Sequence, residues 1–506
     1  MPTVLSVLRW LIIVLLYAGV IAVGVKLDKP AARDGVEPVR NTAQYALSVR
    51  AYRDLVAPPG ADGGAIESIR AGFLLAEGDG VFYWITRHKE TDELIAAPLR
   101  TTPPPFDRAA FLADFESANG VYRLRLTDIL FDAAGARLFA AHQFWRSAER
   151  CFTMRVSVID VKWTPAGAPV TVGGWRPVFE SQPCIGAGTP FDDSETGGKL
   201  ALMQDGVLLL TLGDHGYAGL DGRTPFAQDA LSDYGKILAI DPATGGRSIF
   251  SRGHRNPQGL TVARDGRIWS SEHGPQGGDE INLIVEGRNY GWPYVTYGTN
   301  YGGRIWSLNP DGLNHAAYQE PATAFVPSVA ASALIEINGA QFPRWEGDLL
   351  LASLRGKSLY RSRVSGDRII YTEWIGFGER IRDLAQDDQG RIVLWSDNGV
   401  VSEITRATTD SAYQQFCAAC HEPVFGPAAG PPIRDVVGRR IASSPGFAYS
   451  PALQGKGGVW TEENLDEFLR DPEAFAPGTT MRLSGLDDRS RAEVTAELAS
   501  HARSSE

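Results

Sequence analysis

The sequence lacks an excess of positive charge and has few cysteines. It carries 49 Lys+Arg against 60 Asp+Glu, a formal net charge of -11 at pH 7. An acidic surface argues against nucleic acid or an anionic lipid face as the main partner. Of the four cysteines, Cys417 and Cys420 belong to one motif, which leaves Cys151 and Cys184. In an oxidising compartment these two can form a disulfide, and two buried free thiols are the alternative, because sequence does not show how close they lie.

Charged residues are almost absent from the beginning of the chain. Between Val4 and Val25 only Ser6 and Arg9 interrupt an apolar run, about the ~20 residues that cross a bilayer as a helix. A cleaved signal peptide is the alternative, with a cleavage site near Gly24. We interpret residues 1–27 as an N-terminal transmembrane helix that anchors the protein, or as a signal. Either reading predicts export to the periplasm, tethered to the inner membrane or released from it.

The C-terminal residues contain the attachment signature for c-type haem, Cys417-Ala418-Ala419-Cys420-His421. Two thiols at this spacing reach the two vinyl groups of the porphyrin, and the following histidine becomes an iron ligand. A zinc site would need four ligands, and His501 is the only Cys or His that follows the motif. A redox-active dithiol would need a βαβ context, which is missing here. We therefore predict one covalent haem c.

The sixth iron ligand is predicted to be Met481. It is the only methionine after the haem motif, and it follows a Pro-Gly turn. His501 is the alternative, within a helix predicted over 489–501. A helix over 412–419, capped by residue 410 or 411, and another over 462–469 complete the predicted all-α domain. Over about the last hundred residues the chain resembles small mono-haem cytochromes c.

Long helical patterns are scarce between about residues 40 and 405. Short apolar runs preceded by a turn glycine recur instead, and this pattern is typical of a propeller built from four-stranded blades. We predict an all-β six-bladed β-propeller over 28–405, followed by the cytochrome c domain over 406–506. A β-sandwich or two unrelated β domains are the alternatives. The six runs are Gly80–Thr86, Gly135–Ala141, Gly206–Leu212, Gly266–Ser271, Gly347–Ser353 and Gly390–Ser396.

Polar residues directly follow each apolar run. If the runs are the innermost strands of the blades, these residues converge on one rim of the central channel, where a ligand site would form. They are Arg87, His142, Gln143, Asp214, His215, Glu272, His273, Arg355 and Asp397.

Three Gly- and Pro-rich segments read as tight loops: Gly253–Leu260, Ser271–Asn282 and Glu379–Asp383. Exposed carbonyl and carboxylate oxygens are ligands that Ca²⁺ prefers, and paired arginines bind carboxylates. The loops can therefore hold a polyanionic organic cofactor beside a calcium ion. The alternative is that these residues only connect the blades.

These segments resemble the glucose/sorbosone dehydrogenase family, the soluble quinoprotein sugar dehydrogenases. The resemblance is specific from Thr196 to Asp397. It implies a six-bladed propeller that binds pyrroloquinoline quinone (PQQ) and Ca²⁺. It also implies PQQ contacts for several residues and carbonyl ligands to Ca²⁺ for two others. The implied PQQ contacts are Arg255, Asn256, Arg355, Arg380, Arg382 and Ser396, and the implied Ca²⁺ ligands are Gly274 and Pro275.

One position departs from the family pattern. Where the resemblance leads us to expect a catalytic histidine, just ahead of Gly197 and Gly198, this sequence has Glu195. Glu195 can act as the base that takes the substrate hydroxyl proton, while hydride passes to a PQQ carbonyl polarised by Ca²⁺ and Arg255. It can also be a solvated turn residue.

The resemblance therefore implies a quinohaemoprotein that oxidises a sugar or related alcohol or aldehyde. Its electrons would pass to its own haem and then to a periplasmic or membrane acceptor. The alternative is a propeller that binds a ligand without turnover, fused to an electron-transfer or redox-sensing cytochrome.

Overall fold

The computed structural model describes residues 35–36, 40–59, 63–70, 72–99, 101–102, 104, 106, 108–115, 124–165, 167–186, 193–301, 306, 308, 315–407, 411–421, 429–481, 483 and 486–504. The predicted N-terminal helix over Val4–Val25 lies outside these residues. None of the helices within the described ranges is long and apolar enough to cross a bilayer. The membrane anchor therefore stays a prediction.

Short antiparallel strands are the main regular structure of the described chain up to residue 406. In chain order they are β1 (Gly35–Val36), β2 (Arg40–Asn41), β3 (Ala46–Tyr52), β4 (Gly64–Ile69), β5 (Gly72–Glu77), β6 (Phe82–Arg87), β7 (Leu94–Pro98), β8 (Leu126–Asp132), β9 (Arg137–Arg146), β10 (Cys151–Trp163), β11 (Pro169–Glu180), β12 (Ile185–Gly186), β13 (Gly197–Leu202), β14 (Leu208–Leu212), β15 (Lys236–Ile240), β16 (Arg247–Arg252), β17 (Pro257–Val262), β18 (Ile268–Glu272), β19 (Asp279–Ile284), β20 (Thr323–Phe325), β21 (Ala331–Glu336), β22 (Leu349–Ser353), β23 (Ser358–Ser365), β24 (Arg368–Gly376), β25 (Ile381–Gln386), β26 (Ile392–Ser396) and β27 (Val401–Arg406).

The strands form six sheets, which are the six blades of a β-propeller. Five blades use four consecutive strands each: β4–β7, β8–β11, β13–β16, β17–β20 and β21–β24. The sixth has the order β25-β26-β27-β3, so the N-terminal strand β3 is paired with the last strand of the propeller. The first strands of neighbouring blades contact one another around a closed ring, from β4 through β8, β13, β17, β21 and β25 back to β4. The predicted propeller is confirmed.

The apolar runs do not form the innermost strands of the blades, so the expectation that the residues after them converge at the channel does not hold for that reason. Five of them form the second strand of a blade, as in β14 and β22, and the first run forms the third strand, β6. The second strands are continuously apolar because both of their faces are buried. Every residue of β14, β18, β22 and β26 is buried, which requires continuous apolar sequence. The innermost strands line a polar channel and carry charged residues instead.

The glycines before the runs make the expected tight turns. Gly80, Gly206, Gly266, Gly347 and Gly390 all have positive φ, a conformation that glycine adopts without steric cost. At the second run the following residue, an alanine, takes this conformation in place of the glycine.

Cys151 and Cys184 form a disulfide, with their Cα atoms 5.5 Å apart. Cys151 begins β10, which pairs with β12, and Cys184 directly precedes β12. The disulfide therefore fastens the short strand β12 to its blade.

Helices dominate the described residues after the propeller. They are α2 (Ala412–Phe416), α3 (Ala418–His421), α4 (Pro451–Gln454), α5 (Glu462–Arg470), α6 (Pro472–Phe475) and α7 (Asp488–Ser504), and one helix, α1 (Arg108–Phe115), lies within the propeller. A capping box starts α5, in which the side chain of Thr461 accepts from the backbone amide of Asn464 and that of Asn464 accepts from the amide of Thr461. The predicted helix over 412–419 is divided into α2 and α3 at Cys417.

Candidate functional site

A cavity of about 360 Å³ opens at one rim of the propeller channel, within the range of ligand pockets. Predicted site residues from five separate parts of the sequence share this cavity. Those that line it are Glu195, Arg255, Asn256, Gly274, Pro275, Arg355, Arg380 and Arg382.

The gathering of these residues follows from the topology. Glu195 lies just before the innermost strand β13, Arg255 just before β17, and Arg380 just before β25. The innermost strands are arranged around one axis and begin at the same rim, so residues that precede them meet there. The cavity is therefore a product of the propeller repeat.

Glu195 and Arg255 form an ion pair inside the cavity. Only 7% of Glu195 and 8% of Arg255 is exposed to solvent. Arg255 also donates from Nη1 to the carbonyl oxygen of Gly274 at 3.0 Å, and its backbone amide donates to Glu272 Oε2 at 2.8 Å. Glu195 is thus a buried, positioned carboxylate, and its reading as a solvated turn residue is wrong.

A second buried carboxyl group, that of Asp214, shares a hydrogen bond with Glu195. Two carboxyl groups can form such a bond only if one proton lies between them. Burial raises the pKa of Asp214 above its usual value, and the charge of Arg255 opposes this rise. The indole of Trp292 donates to Asp214 Oδ2 at 2.7 Å and fixes its position. The sequence analysis predicted no role for Asp214 beyond its position after an apolar run.

Asp397 holds the two arginines of the third motif side by side. It accepts from Arg380 Nε at 3.0 Å and from Arg382 Nε at 2.7 Å. Burial alone would raise the pKa of Asp397, but the two guanidinium groups lower it below its usual value. Both arginines keep further N–H groups that can bind an anionic ligand.

The predicted calcium site centres on the loop of Gly274 and Pro275. The backbone amide of Gly274 donates to Asp279 Oδ1 at 3.1 Å, and Asp279 also accepts from the amide of Val329 at 2.8 Å. A side chain at Gly274 would collide with the carbonyl oxygens of Gly277 and Gly278. Among the described residues, no cluster of three or more His, Cys, Asp and Glu side chains is arranged for a metal ion.

Ser396 is separated from the other predicted cofactor contacts. It ends β26, is buried, and is not among the residues that line the cavity. Conversely, sequence reasoning did not assign a site role to several cavity residues. Arg125 and Gln258 belong to this group. His273, one of the polar residues expected at this rim, also lines the cavity, and burial lowers its pKa despite the nearby charge of Asp279. Gln258 lies on β17, and its Nε2 donates to Asn256 Oδ1 at 3.3 Å.

The C-terminal domain encloses a second cavity, of about 220 Å³. All three residues of the haem signature, Cys417, Cys420 and His421, line it, and Met481 also lines it. Apolar side chains such as Leu465 and Phe468 supply the rest of its surface. The side chain of His501 lies outside what the structure describes.

The geometry of His421 fits an iron ligand. Its Nδ1 donates to the carbonyl oxygen of Pro431 at 2.7 Å, since a carbonyl can only accept. This bond fixes the tautomer and leaves Nε2 free of a proton for a metal. The ring packs so closely on Gly430 that a Cβ there would lie 2.5 Å from it. Only glycine fits beside the imidazole, so the Gly-Pro-Pro segment holds the ligand.

The state of Cys417 argues against a redox dithiol. Burial raises the pKa of its thiol to about 12, whereas reactive dithiols have lowered pKa values. Cys417 and Cys420 are also not joined in a disulfide. Both observations agree with residues placed for covalent attachment of haem.

Comparison with known proteins separates the two parts of the chain. Residues 174–403 match the family model for Glucose / Sorbosone dehydrogenase. Aldose sugar dehydrogenase YliI of Escherichia coli K12 is 33% identical over 242 residues, which cover 45% of this chain and 62% of that protein. Quinoprotein glucose dehydrogenase B of Acinetobacter calcoaceticus is 38% identical over 133 residues, 22% of this chain and 28% of that protein.

The C-terminal part matches cytochromes. Cytochrome c2 of Blastochloris viridis is 38% identical over 106 residues, which cover 20% of this chain and 81% of that protein. The match to the dehydrogenases, in contrast, spans less than two thirds of their length. The chain therefore consists of a six-bladed propeller that is similar to the glucose/sorbosone dehydrogenases, fused to a C-terminal domain that belongs to the cytochromes c.

Proposed function

We propose that the protein is an exported quinohaemoprotein dehydrogenase. It oxidises an aldose or a related alcohol or aldehyde with PQQ and Ca²⁺ and transfers the electrons to c-type haem. The observation that carries this proposal is the single cavity that gathers a buried carboxylate, Glu195, with arginines from two separate loops. The name of the Acinetobacter relative, a quinoprotein, supports the choice of cofactor.

The arginines match the chemistry of the cofactor. PQQ is a tricarboxylate that, when bound, supplies a two-electron acceptor. Arg380 and Arg382 would bind its carboxylates, because both point donors into a cavity where Asp397 fixes them. Arg255 and Asn256 would bind its polar edge, and the carbonyl oxygens of Gly274 and Pro275 would hold Ca²⁺.

Glu195 would take the proton of the substrate hydroxyl group. Its ion pair with Arg255 favours the ionised form, which is the form that accepts a proton. Asp214, which shares a hydrogen bond with Glu195, would hold the carboxylate in place for this step. Removal of the hydroxyl proton is the step for which a base is needed when a C–H bond gives up hydride.

The haem domain would accept the electrons. His421 and Met481 would ligate the iron, and methionine ligation raises the reduction potential, which suits an acceptor. The disulfide of Cys151 and Cys184 supports export, since such bonds persist in oxidising compartments. The N-terminal apolar run is the proposed anchor or signal.

Spectroscopy of the haem tests this function directly. The full chain, with covalent haem, is supplied with PQQ and Ca²⁺ and mixed with an aldose under exclusion of oxygen. Reduction of the haem bands is expected only when cofactor and sugar are both present. A protein that binds no PQQ, or whose haem stays oxidised with aldoses, alcohols and aldehydes, would instead be a binding module.

A further inference from the structure

The haem pocket and the cavity lie at opposite ends of the propeller. The hairpin of β21 and β22 shows this arrangement, because it spans the blade from one rim to the other. Its open end lies at the cavity and its turn lies at the haem domain. Ala330 and Leu354, at the open end, line the cavity. Arg344, in the turn, lies with its guanidinium 5.8 Å from the ring centroid of Phe416. Phe416 in turn lines the haem pocket.

The direction of the last strands gives the same result independently. β25 begins beside Arg380 at the cavity, β26 returns to that rim, and the antiparallel strand β27 therefore runs away from it. β27 ends at Arg406, whose backbone amide donates at 2.9 Å to Gln341 Oε1 in the β21–β22 turn. The cytochrome is thus attached to the rim that faces away from the cavity.

The connection between the domains is short. Ala407 and Ala412, each 4% exposed, belong to the propeller core and the cytochrome core respectively. A chain from residue 407 to 412 extends over at most about 18 Å. The strand β21 alone is about 20 Å long, and both rims carry loops beyond it. The connecting segment alone is therefore shorter than the strand that separates the two rims.

Electrons from the cavity need a nearer acceptor. The rate of electron transfer falls exponentially with the distance between donor and acceptor, so a route through the full height of a blade is slow. The cavity mouth itself is accessible, since Tyr301 at its edge is 75% exposed and Arg355 is also exposed. A protein-bound acceptor can approach there.

We propose that electrons from the cavity of one molecule pass to the haem of a second copy of this chain, whose cytochrome docks at the cavity mouth. Oxidation of one sugar alcohol group to a carbonyl releases two electrons and two protons. Each ferric haem takes one electron and becomes ferrous, so two docking events complete a turnover, and the protons pass to solvent. This inference rests on the proposed function and specifies its electron route.

A mixture of two variants tests the route. In Cys417→Ser/Cys420→Ser the propeller is intact and covalent haem is absent, and its oxidation of aldose is verified with a soluble dye acceptor. In Arg255→Met the haem is present and the cavity is impaired, so sugar alone leaves this haem oxidised. Mixed together with PQQ and Ca²⁺, the two variants are expected to show sugar-dependent haem reduction that neither shows alone.

The rate of haem reduction in the wild-type protein is a second test, and it does not depend on whether a variant folds. If reduction is intermolecular, the observed rate constant rises in proportion to protein concentration, about tenfold for a tenfold increase. A rate constant independent of concentration, together with a silent mixture, would overturn the inference while leaving the proposed function intact. A wild-type haem that sugar never reduces would overturn both.

Fluorescence quenching by haem tests the geometry without turnover. A dye is attached at Tyr301→Cys, at the cavity mouth, or at Ala340→Cys, in the exposed β21–β22 turn. In dilute protein, haem is expected to quench the dye at position 340 strongly and the dye at position 301 weakly. Quenching at 301 should then increase with protein concentration. Strong quenching at 301 that persists on dilution contradicts the inference.

Discussion

The carboxylate of Glu195 is paired with the guanidinium of Arg255 within the propeller cavity, at the position where the family resemblance leads one to expect a histidine. A neutral histidine beside this arginine would be a base without charge. The carboxylate is instead held in its charged form by the arginine, and it also shares a hydrogen bond with Asp214. The pair explains how an acidic residue can stand in this place.

Replacement of Glu195 by glutamine removes the proton acceptor and keeps the size of the side chain. We expect kcat for aldose oxidation to fall about 10²–10⁴-fold, the usual contribution of a general base, with a smaller change in KM. Steady-state kinetics with the reconstituted protein measures this. The control is Glu346→Gln, an exposed carboxylate on the opposite rim. Full turnover in Glu195→Gln would show that another group is the base.

Loss of Arg382 should weaken cofactor binding. Hydrogen bonds to charged groups contribute about 1.5–3 kcal/mol, so we expect the Kd of Arg382→Ala for PQQ to rise about 10–150-fold. Equilibrium titration of PQQ with Ca²⁺ in excess measures the change. Arg368→Ala, at an exposed position on β24, is the matched control and should leave the affinity unchanged. Equal affinities of the two variants would remove Arg382 from the PQQ site.

Met481→Ala distinguishes the two candidates for the sixth iron ligand. Since methionine ligation raises the potential of a haem, we expect the variant to have a lower reduction potential and an altered ligand-field spectrum. Redox titration followed by absorbance checks this. His501→Ala should retain the wild-type potential. If the histidine variant shows the change and the methionine variant does not, the ligand assignment is wrong.

Removal of the disulfide should destabilise the propeller. Cys151 and Cys184 are separated by 33 residues, and a loop of this length predicts a loss of about 3–4 kcal/mol in the free energy of unfolding. Chemical denaturation of Cys151→Ala/Cys184→Ala against the wild type measures it. Wild-type protein under reducing conditions should show the same shift, whereas the double variant should be insensitive to reductant.

Glu67, on the innermost strand β4, makes stability depend on pH. Burial, together with the nearby carboxylates of Asp128 and Asp383, raises its pKa from 4.5 to about 8. The folded state therefore binds more protons than the unfolded state between these values. This contribution to stability is complete below about pH 4.5 and is lost as pH rises through 8.

Glu67→Gln should remove this dependence. We expect the variant to gain stability relative to wild type on going from pH 5 to pH 8, on the order of 1 kcal/mol or more. Denaturation midpoints at both pH values give the difference. Glu93→Gln, at an exposed position, should run parallel to wild type. A parallel curve for Glu67→Gln would mean that the carboxyl group titrates normally in the fold.

Local sequence chemistry was sufficient to predict much of this protein. The haem signature, the turn glycines and the loops of Arg255 and Gly274 are short-range patterns, and the structure has them in the expected conformations or cavities. The order of the strands within a blade was harder to predict from the sequence. A continuous apolar run can belong to a strand at the propeller axis or to a second strand covered by neighbouring blades. Both positions select apolar residues, so the sequence alone did not show that most of these runs are second strands.

Long-range pairing was beyond sequence reasoning. Nothing near Glu195 in the sequence indicates that Asp214 shares a hydrogen bond with it or that Arg255 is its ion-pair partner. Arg125 lines the cavity without any motif around it, because its position depends only on where β8 begins. Such contacts follow from the ring closure of the blades rather than from any segment alone.

The pairing of β3 with β27 constrains how the protein is made. Tyr52 lies opposite Val401 in that ladder, roughly 350 residues later, and joining such distant segments carries a large loop-closure cost. During synthesis the N-terminal strand therefore keeps an open backbone edge until nearly the whole propeller has been made. A chain truncated before β27 would leave that edge of β3 unpaired and able to pair with another chain.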